Sequence, residues 1–161
     1  MSYYSEARNL AENAIKLDPT NGRSWFVAAL AISRIIDYSD PFTKLRLLRD
    51  FDVYIEKAIE LLEDPLYKAL ALIGSAIRYR EPPWPFNNYK EAEKRFLKAI
   101  EYAPDLPNVY LELGLLYRKT GNNTKAKEAF LKAIELSSRS PLTKAQEEIV
   151  TRAEQELSKM R

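Results

Sequence analysis

Apolar residues recur along this chain at intervals of three and four positions, which is the spacing of one face of an α-helix. In residues 5–17, for example, Leu10, Ala14 and Leu17 fall on one such face. Seven further stretches repeat the pattern, and none alternates in the way that predicts a β-strand. The predicted helices span residues 5–17, 23–36, 41–62, 66–79, 89–103, 108–120, 124–136 and 141–159.

Proline and glycine separate these predicted helices. The segment 18–22 ends the first helix, because Pro19 interrupts it and Gly22 is expected to accept a positive φ. Three prolines in the segment 81–88 likewise exclude a helix there. Candidate N-cap residues are Ser39 or Asp40 for the third helix and Asn87 or Asn88 for the fifth.

The last predicted helix carries only a narrow apolar stripe. It consists of Leu142, Ala145, Ile149, Ala153, Leu157 and Met160. A narrow stripe with a polar outer face is typical of a helix that caps the end of a repeat array.

One six-residue sequence occurs twice. Residues Phe96 to Glu101 read FLKAIE, and the same letters recur 34 positions later, from Phe130 to Glu135. Weaker copies lie at residues 57–60 and 13–17. A period near 34 residues is the signature of a solenoid built from two-helix repeats, which indicates a binding scaffold rather than a reaction.

Residues 107–140 carry a fuller motif, and through it the chain resembles the tetratricopeptide repeat family. The matching positions are Tyr110 at the family's first-helix Trp, Leu113, Gly114 and Tyr117, followed in the second helix by Ala126, Phe130 and Ala133. Ser138 replaces the usual closing Pro. Segment 66–106 keeps part of the pattern with an inserted loop, segment 22–64 is degenerate, and segment 4–19 resembles a second helix alone.

This resemblance implies an all-α fold, a right-handed superhelical solenoid of antiparallel helix pairs with about eight helices and a C-terminal capping helix. It implies one domain over residues 1–161. The divisions are a half repeat or N-terminal cap at 4–19, a degenerate repeat at 22–64, a repeat with a Pro/aromatic loop at 66–106, a regular repeat at 107–140 and the capping helix at 141–161.

Two glycines fall inside predicted helices, where glycine costs about 1 kcal/mol relative to alanine. They are Gly74 and Gly114. A close approach between two helices would explain both, because a larger side chain at such a crossing overpacks it.

The amino-acid composition of the chain limits the kinds of function that it can have. The chain has no cysteine and no histidine, which excludes disulfides and removes the commonest general base and metal ligand. Its net charge is only +2, so no strong field attracts nucleic acid or membrane lipid. No long apolar run or signal segment is apparent, which predicts a cytoplasmic protein. We expect no cofactor and no metal.

Catalysis would have to rely on carboxylates, lysine or tyrosine. The acidic residues Glu147, Glu148, Glu154 and Glu156 lie on the polar face of the last predicted helix, where solvated charge is the simpler explanation. The four glycines are scattered, so no phosphate-binding loop is present. The sequence therefore predicts a protein without enzymatic activity.

The resemblance implies that the first helices of the repeats line a concave groove. The inward positions would be Phe26, Leu30, Arg34, Ser75, Arg78, Leu111, Leu115, Arg118 and Lys119. Leucine and phenylalanine occupy positions where a carboxylate clamp needs Lys and Asn, so that mode is not expected. An apolar floor with a basic edge favours a peptide or helix with acidic flanks, although basic residues near helix C-termini also need no ligand.

Two connections carry aromatic residues that no periodicity requires: Tyr38 and Phe42 in one, Trp84 and Phe86 in the other. We expect these loops to form a rim of the binding site, or alternatively to pack on their own repeats.

Three functions stay open from the sequence. The first is a module that binds a protein or peptide in the groove. The second is a self-assembling scaffold, a homodimer formed through the first helix. The third is a binder of a small apolar ligand.

Overall fold

A computed structural model describes residues 2–83, 85–139 and 143–160. Within these ranges the chain forms eight helices and no strand, which confirms the predicted all-α class. The helices are α1 (Ser2–Leu17), α2 (Gly22–Asp37), α3 (Pro41–Leu61), α4 (Pro65–Arg80), α5 (Tyr89–Tyr102), α6 (Pro107–Lys119), α7 (Asn123–Ser137) and α8 (Lys144–Ser158).

At α2, α3, α5, α7 and α8 the N-cap side chain accepts hydrogen bonds from the first free backbone N–H groups, which favours a helix start at that residue. Of the two candidates for each cap, the structure selects Asp40 for α3 and Asn88 for α5. At α8, Thr143 and Gln146 form a reciprocal capping box. The predicted start of α8 at 141 and its apolar residue Leu142 lie outside the described residues.

Contacts divide the chain into two compact units, Met1–Ser75 and Ala76–Arg161. The boundary falls inside α4. The predicted division into repeats stays a prediction.

In the first unit α2 packs against both α1 and α3. Its core is apolar, with Phe26, Ile32, Phe51 and Ile55 all nearly inaccessible to solvent. Aromatic rings at the core edge meet edge to face, as Trp25 does with Tyr54. The burial of these large side chains stabilises the unit.

Gly22 has a different role from the predicted one. Its φ is not positive, and it is the first, buried residue of α2. A Cβ atom there would lie 2.8 Å from backbone atoms of both Leu61 and Leu62 at the end of α3. Glycine is therefore required because the start of α2 touches the backbone of α3, while Gly121 alone among the described residues has a positive φ, +79°.

In the second unit α6 packs closely against α7 at the predicted crossing. A Cβ atom on Gly114 would lie 2.5 Å from a ring atom of Phe130, which is itself fully buried. Ala126 and Ala133 are also fully buried. Small residues thus let the two helix axes approach, as the sequence predicts for Gly114.

The same explanation is wrong for Gly74. A Cβ atom there would find its nearest neighbour, Ile55 Cδ1, at 4.0 Å, which is an ordinary contact. No close approach in the structure requires glycine at this position.

The helix α8 packs on α7 and, less extensively, on α6. Ala153 is its fully buried residue, and most of its remaining surface is polar and exposed. The capping role of α8 stays a prediction.

Candidate functional site

The exposed face of α2 carries apolar side chains between two cations. Val27 and Leu30 are each 46% exposed. Arg23 precedes them by one turn and Arg34 follows by one turn, and both are exposed. Because positions 23, 27, 30 and 34 lie on one side of a helix, the four side chains form a continuous strip. We call it the α2 strip.

Phe26, which the sequence placed on the groove floor, is buried. Only 6% of it is exposed, and its ring meets the ring of Tyr67 edge to face. Val27 takes the exposed place instead, and sequence reasoning missed it. The helical spacing could have identified Val27, since it lies one turn before Leu30 and therefore on the same side of α2.

Local contacts orient the two cations of the α2 strip. The guanidinium of Arg23 lies 4.7 Å above the ring of Tyr67, a cation–π contact that holds it beside α4. Arg34 is 65% exposed and has only a long contact of 3.8 Å with Asp37. A pair so exposed contributes little to stability, so its charge remains available to a partner.

The other predicted positions in the first unit differ in exposure. Ser75 is only 1% exposed, with its hydroxyl 3.5 Å from a carboxylate oxygen of Glu56. Tyr38 and Phe42 are 69% and 85% exposed. These two aromatic residues therefore offer apolar surface beside the start of α3.

In the second unit the predicted basic residues already have internal partners. Arg118 pairs with Glu156 of α8. Lys119 donates to the carbonyl oxygen of Arg80 at 3.2 Å. Arg78 donates to the carbonyl oxygen of Phe86 at 3.1 Å. A ligand would have to compete with these contacts.

The predicted apolar floor in this unit is mostly covered. Leu111 is 3% exposed and Leu115 is half-buried. Phe86 is 46% exposed. Trp84 lies outside the described residues.

A buried ion pair, which was not predicted from the sequence, links α4 to α6. Arg80 donates to the side chain and to the carbonyl oxygen of Glu112, both at 2.7 Å. The two side chains are 5% and 10% exposed. A second carboxylate, from Glu81, lies 2.6 Å from the same guanidinium. The one feature of the sequence that indicates this pair is Glu112 itself, an acidic residue between apolar residues of α6.

A cleft of about 410 Å³ opens between α1, α2 and α3. It is lined by Ser5, Arg8, Asn9, Glu12, Ile35, Ser39, Thr43, Arg46 and Leu47. Charged, hydroxyl and amide groups lie here beside apolar surface, so the lining is mixed.

Glu12 is the anionic centre of this cleft. It accepts hydrogen bonds from Arg8 at 2.7 Å and from the Tyr54 hydroxyl at 2.9 Å. Burial alone would raise the pKa of Glu12, but these hydrogen bonds and the charge of Arg8 together lower it. Burial and the bond to Glu12 raise the pKa of Tyr54. Arg8 also reaches Asp50 at 3.1 Å, so the group ties α1 to α3.

Neither a metal centre nor a membrane span emerges from the described ranges. No three acidic side chains there converge in the way a metal ion requires. Every helix described is too short or too polar to cross a bilayer.

Comparison with known proteins gives a family match and a fold match. Residues 107–139 match the family model described as tetratricopeptide repeat. A crystal structure of MamA aligns with a TM-score of 0.61 at 18% identity, covering 97% of this chain and 90% of the other. A second crystal structure, of MamA protein, aligns with a TM-score of 0.60 at 18% identity, covering 99% and 81%. Among curated proteins, none matches this chain.

The family match falls on the segment whose motif carries the predicted resemblance. At 18% identity the two solved structures speak for the fold alone. Together they confirm the predicted resemblance and the predicted solenoid of paired helices.

Proposed function

We propose that this protein, which carries a tetratricopeptide repeat at residues 107–139, is a protein–protein interaction module that binds a peptide or helix of its partner on the α2 strip. One observation carries the proposal: Val27 and Leu30 expose nearly half of their surface side by side between two arginines. Apolar anchors bounded by charge are typical of surfaces that bind amphipathic segments.

The chemistry of the strip specifies the partner. Two apolar side chains of the partner would cover Val27 and Leu30, and their burial would supply most of the affinity. Carboxylates on either side would meet Arg23 and Arg34 and fix the orientation of the segment. The partner is therefore an apolar segment with acidic flanks.

Exposure favours this strip over the predicted positions in the second unit. Arg118 and Lys119 are engaged by groups of their own unit, and Leu111 is covered. Binding there would first break ion pairs and hydrogen bonds. Arg34, by contrast, has only its long contact with Asp37 to lose.

Binding without catalysis is part of the proposal. The chain has neither histidine nor cysteine, and the charged pairs Arg80–Glu112 and Arg118–Glu156 hold the second unit together. No cofactor is needed for this function. The cleft beside α1 mixes polar and apolar surface and does not single out an apolar ligand.

Site-specific photo-crosslinking tests the proposal. A crosslinking amino acid replaces Leu30 on α2 or, as the matched control, Leu97 on α5, which is also 46% exposed. Both variants are incubated in an extract of the source cells, and the captured partner segment is sequenced and synthesised. We expect capture at position 30 only, by a segment that is apolar with acidic flanks.

Two substitutions then test the chemistry with the synthesised segment. Leu30→Asp should abolish binding while Leu97→Asp preserves it, and Arg34→Glu should weaken binding most at low salt. Equal capture at both positions, or a captured segment with basic flanks, would show that the α2 strip is not the site.

The two exposed aromatic residues beside the start of α3 supply a second expectation. If Tyr38 and Phe42 form a rim of the site, Tyr38→Ala and Phe42→Ala will each weaken binding of the same segment. Unchanged affinity in both variants would leave these residues with a role in their own repeats.

Self-assembly is the second candidate function. It is supported by the exposure of Tyr3, Leu10 and Leu17 on α1, which is 82%, 65% and 88%. A scaffold subunit could use this surface to form a homodimer. The oligomeric state at increasing concentration, measured by light scattering, separates this function from the first.

A further inference from the structure

The helix α1 displays a face that its counterparts in the repeats bury. The recurring Ala-Ile pair aligns Ala14 of α1 with Ala133 of α7, and Ala7 with Ala126. In α7 both alanines are fully buried. In α1 the equivalent alanines are only partly buried. The small residues of α1 are therefore arranged for a neighbouring helix, as those of α7 are.

The larger residues of α1 show the same contrast. Leu10 aligns with Ala129 of α7, and Leu17 aligns with Leu136. Ala129 and Leu136 are 7% and 5% exposed, whereas Leu10 and Leu17 are 65% and 88% exposed. Ala11, which faces the core of its own unit, is only 5% exposed. Thus α1 is apolar over a wider arc than its own unit covers.

We propose that this uncovered surface pairs with the same surface of a second copy of the chain, with the two α1 helices antiparallel. The surface consists of Tyr3, Ala7, Leu10, Ala14 and Leu17, and we call it the α1 seam. The intervals along it alternate between four and three residues, which is the spacing by which two helices keep one side in continuous contact.

Alternation of size makes the seam complementary to itself. Large residues at 3, 10 and 17 are separated by alanines at 7 and 14. In an antiparallel pair, Leu10 of one copy fits against Ala14 of the other, and Leu17 fits against Ala7. The small residues allow the close approach that packing between helices needs.

The helix dipoles favour the same orientation. In an antiparallel pair the positive end of each α1 dipole lies beside the negative end of the other, whereas a parallel pair places like ends together.

The expected dimer is small and reversible. A helix of 16 residues is about 24 Å long, so the seam gives an interface at the low end of the specific range. The inference deepens the second candidate function, self-assembly, and is independent of the α2 strip.

Sedimentation velocity over a series of protein concentrations provides the first test. We expect the native chain to shift from monomer to dimer as concentration rises, and Leu10→Glu to weaken the association by more than about tenfold, because it buries two charges per dimer. Leu97→Glu is the control, with 46% exposure on a different helix. Thermal melting verifies that both variants remain folded.

Disulfide trapping provides the second test, and the chain has no cysteine of its own to interfere. Leu10→Cys and Ala14→Cys variants are mixed and oxidised. Antiparallel pairing predicts a disulfide between the two different variants in preference to either variant with itself.

The outcomes separate the two claims. A monomer at all concentrations overturns both self-assembly and the seam. A dimer that Leu10→Glu leaves intact, or that traps position 10 with position 10, retains self-assembly and overturns the antiparallel seam.

Discussion

Gly114 and Gly74 both lie inside helices, yet the structure predicts opposite effects when each is replaced by alanine. Alanine gains about 1 kcal/mol over glycine at an exposed position in the middle of a helix. At Gly74 nothing opposes this gain, since the new Cβ atom would meet only Ile55 Cδ1, at 4.0 Å. We expect Gly74→Ala to stabilise the protein by up to about 1 kcal/mol.

At Gly114 the same gain is offset by overpacking. The new Cβ atom would lie 2.5, 2.6 and 3.1 Å from three ring atoms of Phe130. Because that ring is fully buried, it moves only by displacing its neighbours. Overpacking of this kind costs about 1–3 kcal/mol, so the net effect is a loss of up to about 2 kcal/mol. Gly114→Leu should lower the stability further.

Thermal and urea unfolding measure both effects. For a chain of this size, 1 kcal/mol corresponds to about 2–4 °C in Tm. We expect a higher Tm for Gly74→Ala and a lower one for Gly114→Ala. Adding Phe130→Leu to Gly114→Ala should recover part of the loss, because it removes the ring atoms that clash.

Two results would refute this reasoning. One is a Tm that rises equally in both alanine variants. The other is strict additivity of Gly114→Ala and Phe130→Leu, which would mean that the two residues do not touch.

Three further substitutions test other contacts. Gly22→Ala should lower the free energy of unfolding by more than about 1 kcal/mol in a urea titration, because its Cβ would strike the backbone of α3; a neutral result would contradict that contact. Glu112→Gln should lower the free energy of unfolding by on the order of 3 kcal/mol in the same assay, since it leaves Arg80 buried without its main counter-charge. A loss smaller than that of an exposed ion pair would contradict the burial of this pair. Glu12 has a pKa below its ordinary value of 4.5, so its ionised form stabilises the fold above that pH and the contribution disappears as pH falls through the lowered pKa. We therefore expect the free energy of unfolding of Glu12→Gln, measured by urea titration from neutral to acid pH, to fall less across that window than the free energy of unfolding of the native chain. Parallel declines would exclude a role for the Arg8–Glu12 contact.

The helices and the crossing at Gly114 could be predicted because their causes are local or periodic. The spacing of apolar residues predicts the ends of each helix to within a few positions of those in the structure. Asp40 and Asn88 are both among the predicted N-cap residues. Repetition of FLKAIE gives the pairing of helices. These features follow from one helix and its sequence neighbour.

The details of the candidate site depend on contacts between distant residues, and sequence reasoning misses those. The family pattern places Phe26 on the groove, but in the structure Phe26 is buried against the ring of Tyr67 and Val27 is exposed. Gly22 is a second example, because the contact that requires glycine there is with the backbone at the end of α3, some forty residues later in the sequence.

The ion pair of Arg80 and Glu112 is another contact between distant residues that the sequence does not predict. The two residues are 32 positions apart, and each looks like an ordinary surface charge when only its own helix is considered. Only their packing makes them a buried pair.

The polar outer surface of α8 determines how large an assembly can become. If two copies join through their α1 seams, each seam is fully used in that contact. The described surface of α8 is rich in charged and amide side chains and offers no apolar face that could accept a third copy. Pairing between identical surfaces is therefore closed at two chains, whereas an apolar α8 would invite open-ended filaments.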